Sequence, residues 1–246
     1  EEFNRLVTSR IARWHFAPTE LSRANLMAEL VDDRNIIVTG NTVIDALYWA
    51  LERIEADSCR TAELDLLLDQ RLPFSWKTDR FVLVTGHRRE NFGDGINQIC
   101  GAISELAAKF SDVKFVYPLH LNPNIQRPVQ TLLKNLPNIY LIEPLDYEPF
   151  IYLMKHCHVI LTDSGGIQEE APSLGKPVLV MRSITERPEA IDAGTVKLVG
   201  TKKDLIVEGV ARLLCEESHY AEMSKAQNPY GDGKACDRIL KALKTV

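Results

Sequence analysis

The stretch HVILTDSGGIQEE at residues 158–170 decides the fold of this chain. Its apolar start predicts a buried strand, its two glycines predict a sharp turn, and a helical pattern follows. A strand, a turn and a helix start bring free backbone N–H groups and the positive end of a helix dipole, about half an elementary charge, to one place. We therefore expect an anion to bind at Ser164, Gly165 and Gly166.

A regular alternation of strands and helices extends from this stretch over the sequence after Arg80. Apolar runs such as 81–84 lack polar alternation, which is typical of a parallel sheet buried on both faces. Strands are predicted at 81–85, 114–117, 138–142, 158–162, 177–181 and 195–199, and helices at 96–109, 124–134, 147–156, 165–174 and 202–215. The predicted fold class is α/β, with a doubly wound, Rossmann-like domain over residues 81–227.

The chain outside this domain is predicted to form three parts. Residues 1–40 alternate helix and strand, with Thr19 as a helix cap, but have too few strands to close a sheet, so they are interpreted as the remnant of a second Rossmann-like domain. Residues 41–80 are predicted to be a bridging helix, a linker and a short Leu-rich helix. Residues 228–246 are predicted to be a turn and a helix that pack back toward the N-terminal domain. The opening residues, without an initiator methionine, suggest the interior of a longer protein.

The composition indicates a globular enzyme, since 45% of the 246 residues are hydrophobic and 26% are charged. The net charge of -5, with acids and bases interspersed, argues against a nucleic-acid groove or a membrane-surface patch. The five cysteines form no C-x-x-C pair, which disfavours a disulfide framework and a zinc site. These scattered cysteines fit a reducing cytosol, so a cytoplasmic protein is expected, and no apolar run reaches the ~20 residues of a membrane span.

Cationic side chains follow several predicted strands, and the carboxyl ends of parallel strands share one edge of a sheet. The candidates are His87, Arg88, Arg89, Arg182 and Arg187. Together with the Gly-Gly turn they suit a diphosphate; the alternative is that the glycines only make a tight turn. Glu170, one turn into the helix, is a candidate acceptor for ribose hydroxyls or else a solvated carboxylate, and Glu169 is expected to be solvated.

Two histidines at strand ends are further candidates. His87 lies between glycine and arginine, which favours ligand contact, whereas His120 is as compatible with packing as with binding. The segment 156–158, His-Cys-His, is interpreted as packing, because neighbouring residues point to different faces and no second ligand pair exists. There is no G-x-G-x-x-G, no P-loop and no G-x-S-x-G elbow, so no redox cofactor, ATP hydrolysis or metal is expected.

Five separated segments form a recognisable set of motifs: GNTVID at 40–45, VTGHRREN at 84–91, YPLHLNP at 117–123, the segment 161–187 and NPYGDG at 228–233. In this order they resemble the motifs of the non-hydrolysing bacterial UDP-N-acetylglucosamine 2-epimerases. The resemblance implies a glycosyltransferase-B-like fold of two Rossmann-like domains. It also implies reversible conversion of UDP-GlcNAc to UDP-ManNAc for surface polysaccharide, by elimination of UDP to a 2-acetamidoglucal and re-addition after protonation of C2 on the other face.

The resemblance also implies roles for individual residues. Ser164, Gly165 and Gly166 are implied to hold the diphosphate, Glu170 the ribose, Phe150 the uracil region, and His87 and Arg187 the UDP. Arg88 and His120 resemble positions that bind a second, activating UDP-GlcNAc. Glu1 matches a catalytic glutamate, and His87 is the other candidate for a catalytic role.

The family's N-terminal half, with two more catalytic acids, has no counterpart in this sequence. We therefore expect the chain to be the UDP-binding half of such an enzyme, inactive alone, and the whole enzyme to be a homodimer. Two alternatives stay open: a UDP-sugar glycosyltransferase of the same fold, and a non-catalytic nucleotide-sugar sensor.

Overall fold

The computed structural model describes residues 2–245, and the chain divides into two compact units. One unit comprises the chain up to Trp49 together with the stretch from Asn228 onward, and the other comprises Ala50–Gln227. Within residues 2–245 there is a two-stranded sheet and a six-stranded sheet.

The elements in chain order are α1 (Glu2–Ile11), β1 (His15–Ala17), α2 (Glu20–Ala28), β2 (Ile36–Val38), α3 (Thr42–Ala56), α4 (Ser58–Arg71), β3 (Phe81–Thr85), α5 (Asp94–Lys109), β4 (Lys114–Pro118), α6 (Pro123–Leu133), β5 (Ile139–Ile142), α7 (Tyr147–His156), β6 (Val159–Thr162), α8 (Gly165–Glu170), β7 (Val178–Val180), α9 (Pro188–Asp192), β8 (Val196–Leu198), α10 (Lys203–Cys215), α11 (Glu217–Lys225) and α12 (Ala235–Lys244). Short 3₁₀ turns occur at Asp33–Asn35, Arg89–Asn91 and Ala171–Leu174. Every strand predicted from the sequence is present.

The larger unit is built on a parallel sheet with the strand order β5-β4-β3-β6-β7-β8. The chain winds outward in one direction from β3 and in the other from β6, which is the doubly wound Rossmann order. The order reverses between β3 and β6, whose ends are in register at Thr85 and Thr162. The predicted α/β fold class is confirmed.

The strands of this sheet form its core because both faces are covered by helices. All five residues of β3 and all four of β6 are buried, and one face packs against apolar side chains of α5 and α10 such as Ile103 and Val210. Burial of this kind contributes ~25 cal/mol per Å² of apolar surface. It fixes the carboxyl ends of the central strands, from which the loops of the site emerge.

The segment 57–80 is more ordered than the sequence suggested. A linker and a short Leu-rich helix were predicted here, and the helix α4 spans 14 residues, because Asp57 caps its first turn and Leu64 and Leu68 are buried on one face. The helices α9 and α11 were not predicted. Their short length and charged faces leave little apolar periodicity to detect.

The His-Cys-His segment packs, as predicted. Cys157 is buried, and the ring of His158 stacks on Tyr220 with centroids 4.2 Å apart. Burial lowers the pKa of His158 to about 4, so this histidine is neutral at physiological pH. Within residues 2–245 no cluster of three or more His, Cys, Asp and Glu side chains is arranged to hold a metal ion.

The smaller unit pairs β1 with β2 in parallel, with His15 opposite Ile36. Thr19 caps α2 by accepting a hydrogen bond from Ser22 N, as its position in the sequence predicted. Asp45, on α3, accepts hydrogen bonds from two backbone N–H groups at the start of α12. No helix in the described part of the chain is both long and apolar enough to cross a bilayer.

Candidate functional site

The candidate site lies where the strand order reverses, at the carboxyl ends of β3 and β6. Ligands of doubly wound sheets bind in the crevice at this point. The two strand ends are tied together by a buried hydrogen bond, 2.6 Å long, between the hydroxyls of Thr85 and Thr162. Three segments meet here: the β3 loop (residues 86–91), the turn from β6 into α8 (residues 163–166), and the β7 loop (residues 182–187).

The β3 loop is anchored to the β6 turn by Asp163, whose carboxylate is buried with 1% of its surface exposed. The backbone N–H groups of His87 and Arg88 donate to Asp163 Oδ2 over 3.0 and 2.9 Å. Asn91 Nδ2 donates to the same oxygen over 3.0 Å. A single side chain of the turn after β6 thus anchors the loop that follows β3.

The two side chains at the start of the β3 loop point to different neighbours. The His87 ring stacks on His120, which follows β4, with centroids 5.8 Å apart and planes inclined by 19°. Arg88 Nη2 lies 3.8 Å from the position that a Cβ on Gly165 would occupy. Arg88 Nε is buried and has no hydrogen-bond partner within residues 2–245. The sequence candidates His87, Arg88 and His120 therefore form one group at this edge.

The turn from β6 into α8 is open to a ligand. Ser164 N donates to Thr162 Oγ1 over 3.0 Å, which sets the direction in which α8 begins at Gly165. N–H groups in the first turn of a helix have no intrahelical acceptor. A Cβ on Gly166 would meet no atom within 4 Å. The backbone can therefore be approached closely by an anion.

Glu170, at the end of α8, is not a solvated carboxylate. It is 8% exposed and accepts a hydrogen bond from Tyr147 Oη over 2.9 Å. Burial raises the pKa of Glu170, and the nearby Glu169 raises it further, while the bond from Tyr147 opposes this. Tyr147 begins α7, one turn before the uracil candidate Phe150. The start of α7 therefore contacts the ribose candidate.

Glu169 was expected to be solvated, and this expectation is wrong. Its side chain is 10% exposed and forms an ion pair with Arg187 Nε. Arg187 Nη2 lies 3.9 Å from the position of a Cβ on Gly165, on which Arg88 also converges. The sequence pattern of two adjacent helix glutamates does not reveal this pair, because Arg187 comes from a different strand end.

Arg182 was expected to be a cation available to a ligand, but the structure pairs it with two carboxylates. Its side chain is 8% exposed and is paired with Glu90 over 2.7 Å and with Glu186 over 2.6 Å. The Arg182 guanidinium lowers the pKa of the Glu186 carboxyl to about 2. Two carboxylates therefore balance the charge of Arg182, which joins the β3 loop to the β7 loop.

The β7 loop is also held by α8. Thr185 Oγ1 donates to Gln168 Oε1 over 2.7 Å, and Arg187 N donates to Thr185 Oγ1 over 3.1 Å. Sequence reasoning missed Gln168 and Thr185, as well as Asp163, Asn91 and Tyr147. Asp163 had a detectable signal, since a carboxylate between a buried strand and a glycine turn has loop N–H groups as natural donors. Glu1, a candidate for catalysis, lies outside the described residues.

A glycine turn into a helix at the switch point of a doubly wound parallel sheet, with a buried carboxylate nearby, is typical of nucleotide-binding α/β proteins. The family model for UDP-N-acetylglucosamine 2-epimerase matches residues 1–244. The chain belongs to this family, and the resemblance deduced from the sequence motifs is confirmed at that level.

Individual relatives agree with the family assignment. The chain is 58% identical over 244 residues to the UDP-N-acetylglucosamine 2-epimerase of Yersinia pestis, covering 99% of this chain and 64% of that protein. A crystal structure of UDP-GlcNAc 2-epimerase from Neisseria meningitidis bound to UDP-GlcNAc matches with a TM-score of 0.91 at 50% identity, over 100% of this chain and 65% of that one. The Methanocaldococcus jannaschii enzyme in complex with UDP-GlcNAc and UDP matches with a TM-score of 0.80 at 32% identity, over 100% and 65%.

These neighbours confirm the predicted glycosyltransferase-B-like fold class. A structure of the wall teichoic acid polymerase TagF, at 12% identity and a TM-score of 0.54, shares the fold alone. The chain spans slightly less than two thirds of the length of the curated relatives it matches, 64% for the first of them.

Proposed function

We propose that this chain is the UDP-binding part of an enzyme that interconverts UDP-N-acetylglucosamine and UDP-N-acetylmannosamine. The observation that carries the proposal is the convergence of Arg88 and Arg187 on Gly165 at the sheet's switch point, in a family with relatives solved with UDP-GlcNAc and UDP. Two guanidinium groups and free helix N–H groups match the charge and geometry of a diphosphate.

The proposed roles of the site residues follow the geometry of the β6 turn. Ser164, Gly165 and Gly166 hold the diphosphate, with Arg187 and His87 beside it. Glu170 accepts hydrogen bonds from the ribose, because one of its oxygens is already bonded by Tyr147 and its position is thereby fixed. Phe150, on the same helix as Tyr147, contacts the uracil.

The chemistry assigned to this chain is stabilisation of the leaving group. In the proposed elimination, a base removes the C2 proton, the C1–O bond breaks, and the electron pair leaves with UDP. The developing charge on the diphosphate is met by the arginines and the helix N–H groups, which are already in place. The reverse addition, after protonation of C2 on the opposite face, gives the epimer.

Other properties of the whole protein are proposals on the same basis. Glu1 is its proposed catalytic carboxylate, and His87 a second catalytic group. Besides facing the diphosphate, Arg88 is proposed to contact a second, activating UDP-GlcNAc together with His120, whose ring stacks on His87. The five free thiols fit a reducing cytoplasm. The enzyme is proposed to be a homodimer that supplies surface polysaccharide synthesis without a cofactor.

An isotope experiment tests the proposed reaction. Joined to the segment of the Yersinia pestis relative that it does not match, the chain should convert UDP-GlcNAc to its epimer in D₂O and place deuterium at C2. A glycosyltransferase would leave C2 unlabelled, and a sensor would bind the nucleotide without turnover. The 246-residue chain alone should be inactive, because a base and its partner acids cannot be replaced by binding groups.

A further inference from the structure

Asp163 holds the β3 loop almost without exposure to solvent, and nothing in the proposed reaction assigns it a role. Its carboxylate is 1% exposed and accepts three hydrogen bonds of 2.9 to 3.0 Å, from His87 N, Arg88 N and Asn91 Nδ2, at one oxygen. Its other oxygen accepts a longer bond, 3.1 Å, from His87 N. No Arg or Lys side chain within residues 2–245 forms an ion pair with it.

A carboxylate is the side chain that this arrangement requires. It offers about four lone-pair sites and no donor, and bonds to an ionised acceptor are about twice as strong as neutral ones. An asparagine at this position would have only one acceptor oxygen, and its NH₂ group would face backbone N–H donors to which it cannot bond. A buried charge is costly unless it is hydrogen-bonded, so each bond also stabilises the ionised state.

The second oxygen of Asp163 also faces the His87 ring. Its Oδ1 atom lies 3.5 Å from His87 Nδ1, slightly beyond normal hydrogen-bond length, so the contact is chiefly electrostatic. In the neutral ring, a negative charge at this distance favours the tautomer with the proton on Nδ1. Nε2 is then the atom that carries the lone pair. Asp163 thus acts on the backbone of the β3 loop and on the ring tautomer of its histidine.

We propose that Asp163 is a positioning residue that holds His87 and Arg88 in place for the nucleotide. Its effect on UDP rests on the proposed function, whereas its effect on the β3 loop is independent of it. Arg88 links Asp163 to the proposed ligand. Its backbone N–H donates to Asp163, and its guanidinium lies 3.8 Å from the position that a Cβ on Gly165 would occupy. Asp163 itself touches no substrate.

Amide hydrogen exchange tests the positioning role without a ligand. In the 246-residue chain the amides of His87 and Arg88 should exchange at least ~10-fold more slowly than that of Ile184, which is 75% exposed. In Asp163→Asn they should accelerate ~10-fold, while the amide of Leu161 in the sheet stays protected. Equal acceleration at all three sites, or none, would overturn the proposal. If Asp163→Asn does not fold, fast exchange of the two loop amides in the wild-type chain would overturn it equally.

Two further measurements separate positioning from simple packing. Nitrogen chemical shifts of the His87 ring should show the Nδ1–H form in the wild type and a shift toward Nε2–H in Asp163→Asn, which a packing role would not produce. The affinity for UDP, measured by calorimetry, should fall ~10-fold or more in Asp163→Asn. Asp112→Asn, an exposed carboxylate paired with Arg80, is the matched control and should change none of these values.

The outcomes of the two arms can be told apart. If the wild-type chain does not bind UDP, the proposed function fails, and amide exchange and ring tautomer alone decide the positioning role. If UDP binds equally to the wild type and to Asp163→Asn while the β3 loop loosens, Asp163 is a structural anchor only and the proposal is wrong.

Discussion

The β3 loop and the β7 loop flank the same glycine turn but are held in opposite ways. The β3 loop is anchored through its backbone, since Asp163 accepts from two of its N–H groups. The β7 loop is anchored mainly through its side chains: Arg182 is bonded to two glutamates and Thr185 to Gln168. In the β3 loop the guanidinium of Arg88 can therefore contact a ligand, whereas in the β7 loop the guanidinium of Arg182 is already paired with carboxylates.

The difference shows that counting cations at a sheet edge overestimates the charge available to an anion. Arg88 follows β3 and Arg182 follows β7, which lie on either side of β6, and the two arginines look equivalent in the sequence. Arg88 Nε is buried without a partner in the described part of the chain, whereas all three nitrogens of the Arg182 guanidinium donate to carboxylates. Arg187 is intermediate, because its Nε is paired with Glu169 while Nη2 lies near Gly165.

The largest effect is expected from removing Asp163, the backbone anchor of the β3 loop. Asp163→Ala removes a buried acceptor that three donors share, and should lower the free energy of unfolding by ~3 kcal/mol or more. Arg182→Ala frees two exposed carboxylates and should lower it by ~1 kcal/mol. Urea denaturation of the two variants measures both. A larger loss for Arg182→Ala would mean that the β7 loop, not the β3 loop, carries the stability of the site.

A second substitution displaces the β3 loop at its base. A Cβ on Gly86 would lie 2.8 Å from Tyr117 Oη, so Gly86→Ala forces either the loop or a buried ring to move. We expect a loss of ~1–3 kcal/mol in the free energy of unfolding.

Tyr117→Phe removes the clashing oxygen and provides the control for Gly86→Ala. The Tyr117 hydroxyl makes only a weak bond to Gly86 O, 3.4 Å long, so Tyr117→Phe alone should have a small effect. The double variant should recover most of the stability that Gly86→Ala loses. If thermal unfolding shows no such recovery, the contact between Gly86 and Tyr117 does not set the position of the β3 loop.

A third substitution tests a residue that belongs to neither loop. Glu170→Gln should weaken UDP binding ~10-fold or more, because a charge-assisted hydrogen bond to the ribose becomes a neutral one. The same change should raise the free energy of unfolding of the free chain by less than ~1 kcal/mol at neutral pH.

The sign of this stability gain follows from the raised pKa of Glu170. Ionised Glu170 destabilises the folded state relative to the unfolded state above its folded pKa, and the penalty disappears as the pH falls below the ordinary carboxyl range, ~4.3. Wild type and Glu170→Gln should therefore converge in stability at low pH. A variant less stable than the wild type at neutral pH would contradict the burial of this charge.

The smallest expected effect concerns the side-chain anchor of the β7 loop. The pKa of Glu186 is lowered to about 2, so the stability that its pair with Arg182 contributes is present above the ordinary carboxyl pKa and is lost as the pH falls toward 2. Because Glu186 is 57% exposed, we expect Glu186→Gln to cost at most ~1 kcal/mol at pH 7. The cost should shrink below the ordinary carboxyl pKa and vanish once the pH has fallen below 2. A cost that does not depend on pH would show that the pair is not electrostatic.

The sequence was sufficient for the parts of the fold that depend on local pattern. Continuous apolar runs predicted the six strands of the parallel sheet, and Thr19 and the glycine turn at 165–166 marked helix starts through their local chemistry. Short helices such as α9 were missed because five residues carry too little periodicity to recognise.

The sequence can predict the candidate-site residues that directly follow a strand, but not the contacts that they make with other loops. His87, Arg88 and Gly165 were found because the carboxyl ends of parallel strands share an edge. The pairing of Arg182 with Glu90, residues separated by 92 positions, depends on tertiary geometry that no local pattern contains. The burial of Glu169 was mispredicted for the same reason, since its partner Arg187 arrives from another loop.

One titration tests most directly the claim that Arg88 of the β3 loop, and not Arg182 of the β7 loop, is a cation available to the nucleotide. UDP is added to the nitrogen-15-labelled chain while the Nε–H resonances of Arg88 and Arg182 and the amides of Gly165 and Gly166 are followed. We predict saturable shifts at Arg88 and both glycines, with Arg182 unchanged. Shifts at Arg182 without shifts at Arg88, or no binding of UDP, would contradict the account.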